Sequence, residues 1–293
     1  MDDHRLQAGE LARLAGRDGP VTVLKRTTVL KQTKVLVVRA GDVVVKAHPP
    51  GTDERALRAR LDAARALDGI MLAPLGLERL DGRLVTIWPA GEPLTMDDVE
   101  AGTTPWEEGG RLLALLHARP VPAGLPPAGG PSRLPRAMAD LASAGVPAPV
   151  AAPILEAYAT LPPAREGGAL THGDWHLGQI VRHGGGWLLI DPDDLGAGDP
   201  AWDLARPAAW FAAGLLAPDD WERLLTAYLA AGGTAVSADD PWRELDAPAR
   251  ALTVQLAATA VAAGARAGKP PDDAAEALVS ACERIVAAAR AGT

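Results

Sequence analysis

Apolar positions alternate in short runs up to residue 88 and fall into helical spacing beyond Thr104. The first region holds Val21 to Arg26, Lys34 to Arg39, Asp42 to Ala47, Met71 to Leu80 and Arg83 to Trp88, all β-rich. Tight turns at Ala40-Gly41 and Asp81-Gly82 predict hairpins of an antiparallel sheet. An amphipathic stretch at 5–16 and a helix over Asp53 to Leu67 interrupt it. In the second region Thr104-Pro105-Trp106-Glu107 has the form of a capping box, opening a helix that runs to His117. Residues 119–135 are rich in Pro and Gly and predict an irregular surface loop. Helices follow near 134–144, 149–161, 200–215, 218–231, 241–265 and 272–290, and Pro248 should kink or restart one of them. Ile180 to Arg182 and Trp187 to Ile190 predict two short strands joined by Gly184-Gly185-Gly186. The predicted fold class is therefore α+β, with a sheet-based lobe over 1–88 and a mainly helical lobe over 89–293. Trp88-Pro89-Ala90-Gly91-Glu92-Pro93 breaks the pattern and is the expected hinge.

A length of 293 residues allows a substantial core in both lobes. Aromatics are only 4% of the chain, so Ala, Leu and Val must fill most of it. No stretch approaches the ~20 apolar residues of a membrane helix, and MDDHRLQAGE lacks a signal-peptide pattern. The single Cys282 excludes an internal disulfide, fits a reducing cytoplasm and reads as a buried packing residue. Charge separates the two regions. Residues 1–90 carry 15 Lys/Arg against 11 Asp/Glu, a balance of +4, while 91–293 carry 14 against 26, a balance of −12. A basic region suits phosphates, and an acidic one suits cations or cationic small molecules, or simply keeps a protein soluble. No basic stripe with interleaved aromatics marks a nucleic-acid surface.

The candidate chemistry lies between Leu170 and Phe211. His172-Gly173-Asp174-Trp175-His176-Leu177-Gly178-Gln179 forms a turn, and the second of the two short strands ends in Asp191-Pro192-Asp193-Asp194. Carboxylates at a strand end are hard oxygen ligands that hold Mg²⁺ beside a phosphate. Phosphoryl transfer needs an Asp that takes a hydroxyl proton, a metal-binding amide five positions on, and a second metal Asp after a hairpin. Asp174, Gln179 and Asp191 fall in that order. Asp193 is an additional candidate metal or water ligand. Upstream, Asp42-Val43-Val44-Val45-Lys46 has the form of a strand that presents a phosphate-binding lysine. The same residues leave two other readings open. One is a metal-dependent hydrolase built on His172, Asp174, His176 and Asp191. The other is a nucleotide-binding module without turnover.

The block HGDWHLGQ, followed by IDPDDLGAGDPAWDLA, resembles the aminoglycoside phosphotransferase family, with Gln179 where Asn is usual. Its HLGQ form is similar to that of maltokinases and glucosamine kinases of actinobacteria. The resemblance implies a two-lobed, protein-kinase-like fold. It implies transfer of the ATP γ-phosphate, with Mg²⁺, to a hydroxyl of a small acceptor; GTP stays open as donor. Asp174 is then the catalytic base, Lys46 a phosphate ligand, and the backbone at Ile87, Trp88 and Ala90 the candidate adenine site. His172 would brace the turn, and Asp203 would tie its helix to the catalytic loop. Trp175 would stack on a sugar or pack in the core. The sequence departs from the family in two places. Lys25 to Lys34 contains no glycine, so Thr hydroxyls, backbone N–H groups, Lys31 or Lys34 would have to cover phosphates. The helix carboxylate that should pair with Lys46 falls near Ala59 or Arg60, leaving Glu54 or Asp62 as substitutes. The favoured acceptor is an amino sugar or aminoglycoside, seated between Asp174, the Trp202–Trp210 helix and acidic residues of the last helices.

Overall fold

The computed structural model describes residues 8–14, 16, 20–29 and 32–292, with side chains of 26–29 and 32–34 outside the description. In chain order it opens with α1 (Ala8–Leu14), β1 (Val21–Val29), β2 (Gln32–Ala40), β3 (Val43–Ala47) and α2 (Glu54–Arg65). Then come β4 (Gly76–Leu80), β5 (Arg83–Pro89), β6 (Glu92–Pro93), α3 (Met96–Glu100) and α4 (Trp106–His117). α5 (Arg133–Ser143), α6 (Ala148–Ala159) and β7 (Ala169–Thr171) lead to the hairpin β8 (Ile180–His183) and β9 (Gly186–Leu189). β10 (Gly196–Gly198) precedes α7 (Ala201–Ala212), α8 (Pro218–Ala230), α9 (Trp242–Arg266) and α10 (Asp273–Ala291).

The chain forms two compact units that are not contiguous in sequence. The first comprises residues 1–100, 122–126 and 179–193; the second holds the remainder. The first unit is built on an antiparallel five-stranded sheet of order β1-β2-β3-β5-β4. Its β-branched strands alternate at period two. Val43, Val45, Ala47 and Val85 pack with Leu11 and Ala12 of α1, while Val44, Leu84 and Trp88 pack with Leu57 and Leu61 of α2. Helices thus cover both faces. The β4–β5 turn places Asp81 and Gly82 at φ 48° and 74°, the left-handed pair that a two-residue hairpin requires. Hairpin β8–β9 belongs to this unit: Leu72 N–H donates to Leu189 O at 2.8 Å, and Leu189 N–H to Ile70 O at 2.8 Å. Met71 is thus bridged to Leu189, and the strand expected over Met71 to Leu80 begins only at Gly76.

The second unit is helical except for the short β7–β10 pair. Helices α5, α6, α9 and α10 share one core that includes Ile154, Val254, Ala258, Leu278 and Cys282. Burial pushes the Cys282 thiol up to about 12, as befits an inert packing cysteine. Helix α4 approaches α8 closely because Gly109 and Gly110 leave no Cβ between them and Trp175, Leu224 and Tyr228. Two local expectations fail. The capping box does not form: the first turn of α4 has no side-chain cap. Glu107 instead accepts from Arg223 at 2.6 and 2.8 Å, and Arg223 also takes Thr104 O at 2.8 Å. An arginine–carboxylate fork outcompetes a single neutral cap bond. Pro248 does not divide α9, which runs unbroken with Pro248 buried among its packed residues. Among the described residues, no helix is long and apolar enough to cross a membrane.

Candidate active site

Each unit carries one part of the candidate chemistry. In the first, strand alternation sends Lys46 to the α2 face of the sheet, opposite Thr86 in register. Its ammonium lies 2.5 Å from Asp191 Oδ1 and 2.7 Å from Asp193 Oδ2. Burial alone would lower the Lys46 pKa, but the charges and hydrogen bonds of Asp193 and Asp191 outweigh it and hold the group above its ordinary value. Both carboxylates come from the segment after β9. Asp191 occupies the left-handed region at φ 59°, which Asp tolerates better than most residues. Ile190 N–H donates to Gln179 O at 2.9 Å, so the hairpin draws the buried Gln179 to within one residue of Asp191 along the opposing strand.

Behind the ion pairs lies His48, only 2% exposed. Its Nε2 is 3.0 Å from Thr86 Oγ1, which also accepts the Trp88 indole N–H at 2.9 Å. Its Nδ1 is 3.6 Å from Asp193 Oδ2, too far for a hydrogen bond but close enough to wall in the carboxylate. Burial lowers the His48 pKa, with Asp193 opposing and Lys46 assisting, so the ring is neutral at pH 7. Arg83 fixes the backbone here by donating from Nε and Nη2 to His48 O at 2.8 and 2.5 Å.

A divalent cation fits this donor set. Two hard carboxylates already converge on one cation, the Lys46 ammonium. Among the described residues no group of three or more His, Cys, Asp or Glu could hold a metal ion. Mg²⁺ typically needs only one or two carboxylates, taking its other ligands from phosphate oxygens and water.

In the second unit the turn at His172-Gly173-Asp174 hangs on Asp203, in the first turn of α7 and 1% exposed. Its carboxylate accepts His172 N–H at 2.6 Å and Gly173 N–H at 2.8 Å. His117 Nε2 lies 3.1 Å from the same group, and His117 Nδ1 lies 3.0 Å from Tyr228 Oη. Tyr228 Oη in turn accepts Ala235 N–H at 2.9 Å. Asp203→Ala would orphan several buried donors at once, a loss of about 3 kcal/mol. A thermal melt should fall by roughly 5–10 °C, and an unchanged midpoint would show that the turn does not depend on this carboxylate.

Gly173 sits at φ 82° against Asp194, where a Cβ has no room. Next to it, Asp174 is gripped by two arginines: Arg206 Nη2 at 2.5 Å from Oδ1 and Arg133 Nη2 at 3.0 Å from Oδ2. Arg133 also donates from Nε to Asp194 Oδ2 at 2.9 Å. Burial lowers the Arg206 pKa while Asp174 raises it, and a guanidinium remains charged throughout.

The sequence signature of the phosphotransferase enzyme family matches residues 29–247. The chain belongs to that family. It is a phosphotransferase with an alcohol group as acceptor. Its fold is that of solved kinases of the same class. A choline/ethanolamine kinase family protein from Mesorhizobium loti superposes with a TM-score of 0.61 at 22% identity, covering 97% of this chain and 98% of that one. An apo aminoglycoside phosphotransferase, APH(4)-Ia, gives 0.63 at 14% identity over 98% and 100%. The choline kinase LicA from Streptococcus pneumoniae gives 0.60 at 16% over 96% and 97%. A search of curated proteins finds no match.

Several expectations for this phosphotransferase need revision. Neither substitute carboxylate on α2 reaches Lys46. Glu54 is taken by Arg58 at 2.8 Å and by Arg79, and Asp62 by Arg65 at 2.7 Å. Both line a cavity of about 760 Å³, together with Ala59, on the face of α2 away from its packed leucines. Of the adenine candidates, Ile87 O accepts Leu75 N–H at 2.8 Å, and Trp88 is buried against α2. Ala90 N–H donates to Asp42 O at 2.7 Å, so that donor is already committed to the sheet. Trp175 is 2% exposed and meets Trp106 edge-on at 6.5 Å, which makes it core and not a sugar platform. His176 Nδ1 accepts Gly178 N–H at 3.0 Å and braces the turn. With Asp174 facing arginines, the hydrolase reading loses its ligand set. The side chains of Lys31, Lys34 and the neighbouring threonines lie outside the described residues.

Arg133 and Arg206 escaped the sequence reading. Arg206 stands in the DLAR run three residues after Asp203, one helical turn along the same face. Arg133 follows Gly129-Gly130-Pro131-Ser132, which reads as loop. Those two glycines press directly on Asp194, Trp202 and Gly173 O, so adjacent glycines ahead of a helix were the available signal.

Proposed function

We propose that this enzyme transfers the γ-phosphoryl group of ATP, with Mg²⁺, to a hydroxyl of an amino sugar, aminoglycoside or related sugar. The observation that carries the nucleotide half is Lys46 held between Asp191 and Asp193. An ammonium has three donors, so it can stay on a carboxylate while another donor reaches a phosphate oxygen. Asp191, with the Gln179 amide, would hold the metal, which when bound neutralises charge on the phosphate oxygens. Asp174 orients the acceptor hydroxyl and takes its proton as the oxygen–phosphorus bond forms and the bond to the ADP oxygen breaks. Arg133 and Arg206 fix Asp174 in one rotamer while leaving lone pairs for the hydroxyl. Such an enzyme works where ATP is abundant, which supports a cytoplasmic setting.

The amine-bearing acceptor is supported by the −12 balance of residues 91–293. It is also supported by the names of structural neighbours, which include a spectinomycin phosphotransferase solved with ADP and spectinomycin, and choline and ethanolamine kinases. The acidic residues of the last helices have partners of their own, since Glu244 meets Arg243 at 2.7 Å and Asp246 meets Arg250 at 3.4 Å. ADP release should be measured with neutral sugars, amino sugars, aminoglycosides and small amino alcohols. Amine-bearing acceptors should give the higher kcat/KM. Turnover of neutral sugars alone would remove the amine from the proposal and leave the kinase reading standing.

A further inference from the structure

We propose that Asp193, walled in by His48, is the residue that positions Lys46 toward the nucleotide phosphates, taking the part of a carboxylate that α2 does not supply. The inference rests on the nucleotide role of Lys46 given above. The first ground is elimination. A phosphate-binding lysine on a strand needs a partner to keep its long, flexible side chain in one rotamer. Helix α2 offers none, because Glu54 and Asp62 are bonded to arginines and Ala59 faces the cavity beside them. Lys46 has two anions, Asp191 at 2.5 Å and Asp193 at 2.7 Å.

The second ground is how the two carboxylates are supported. Asp191 stands at a left-handed position right after β9, with Gln179 paired to the residue before it. Asp193 instead faces the buried face that carries Lys46. Lys46 and His48 are two residues apart on one side of the strand direction, Thr86 lies opposite Lys46, and Trp88 is two beyond Thr86. These side chains form a connected set. The Trp88 indole donates to Thr86 Oγ1, Thr86 Oγ1 contacts His48 Nε2, and His48 Nδ1 stands 3.6 Å from Asp193. Arg83 pins the His48 carbonyl from behind. A divalent ion recruited by Asp191 would draw that carboxylate away from Lys46, since a dication outcompetes an ammonium for hard oxygens. Asp193 then remains as the lysine's anchor, so the two aspartates divide the work: one for the cation, one for the lysine.

The experiment compares Asp193→Asn, Asp191→Asn, Lys46→Met and the Lys46→Met/Asp193→Asn pair with the wild type. Affinity for a fluorescent ATP analogue is measured in EDTA and in Mg²⁺, and half-saturating Mg²⁺ is read from turnover. Asp193→Asn should weaken nucleotide binding about tenfold, the loss of one charge-assisted bond, in both conditions. It should leave half-saturating Mg²⁺ within about twofold. Asp191→Asn should do the opposite, raising half-saturating Mg²⁺ while sparing metal-free binding. Because Asp193 acts through Lys46, the double variant should bind no worse than Lys46→Met alone. A His48→Gln variant should shift nucleotide affinity in the same direction as Asp193→Asn and by less. Asp193→Glu, which keeps the charge, should recover part of the affinity, and melting curves of every variant check that each is folded. Additive effects of the two substitutions would overturn the proposal. So would a tenfold rise in half-saturating Mg²⁺ for Asp193→Asn with metal-free binding intact, which would make Asp193 a metal ligand. A wild type that binds no ATP would end the kinase reading and this inference together, whereas the other two outcomes end only the inference.

Discussion

Asp174→Asn should lower phosphoryl transfer by roughly 10²–10⁴-fold, the range for losing a general base, while nucleotide affinity stays within about twofold. The substitution is nearly isosteric. It removes the charge that Arg206 and Arg133 grip at 2.5 and 3.0 Å, and it removes the proton acceptor. An amide can still accept on its oxygen, so one guanidinium keeps a partner; the other meets an NH₂ group and loses its bond. The groups assigned to the nucleotide, Lys46 and Asp191, are paired with each other, and Asp174 is paired with Arg206 and Arg133. Binding should therefore survive where chemistry does not. The check is ADP release with a saturating acceptor, read beside titration of a fluorescent ATP analogue. Equal turnover by wild type and variant would remove Asp174 from its assigned role.

The same residues show what could be read from the chain and what could not. Elements with a clear period were legible. The strands over Val21–Ala47, the helices from α5 to α10 and the glycine hairpin β8–β9 lie where period two, period 3.6 and turn chemistry put them. The approach of Gln179 to the segment after β9 was legible too, because a hairpin fixes it locally. Partners distant in sequence were not. Lys46 and Asp193 are separated by more than half the chain, and the family resemblance had directed the lysine to a carboxylate on α2. Glu54 and Asp62 were lost to Arg58, Arg79 and Arg65, competitors whose reach depends on how helix and strand pack. Arg133 was hidden for a similar reason. Its segment carries the composition of a loop, and only the close approach of Gly129 and Gly130 to Asp194, Trp202 and Gly173 shows that the loop is a support. The capping box at Thr104 failed because Arg223, more than a hundred residues away in sequence, made the stronger offer to Glu107.

Asp191→Ala is expected to have the other large effect, abolishing Mg²⁺-dependent nucleotide binding and cutting kcat by about 10³-fold, on the scale of losing a main electrostatic element of the site. Two separate losses combine in this variant, and a second substitution resolves them. Charge is the first: without Asp191, Lys46 keeps only Asp193, and the hard-oxygen pair is broken. Backbone is the second, because Asp191 sits at φ 59°, where Ala costs about 1 kcal/mol more than Asp or Asn. Asp191→Asn removes the charge and keeps a residue that tolerates the left-handed region. Both variants should lose the Mg²⁺ response, but only Asp191→Ala should also melt lower, by roughly 2–4 °C. Calorimetric titration of ATP with and without Mg²⁺, beside a thermal melt of each protein, reads the two effects independently. If Asp191→Ala still bound Mg²⁺–ATP as the wild type does, the cation would have to sit elsewhere. The convergence of Asp191 and Asp193 on Lys46 would then be a structural ion cluster and not a nucleotide site.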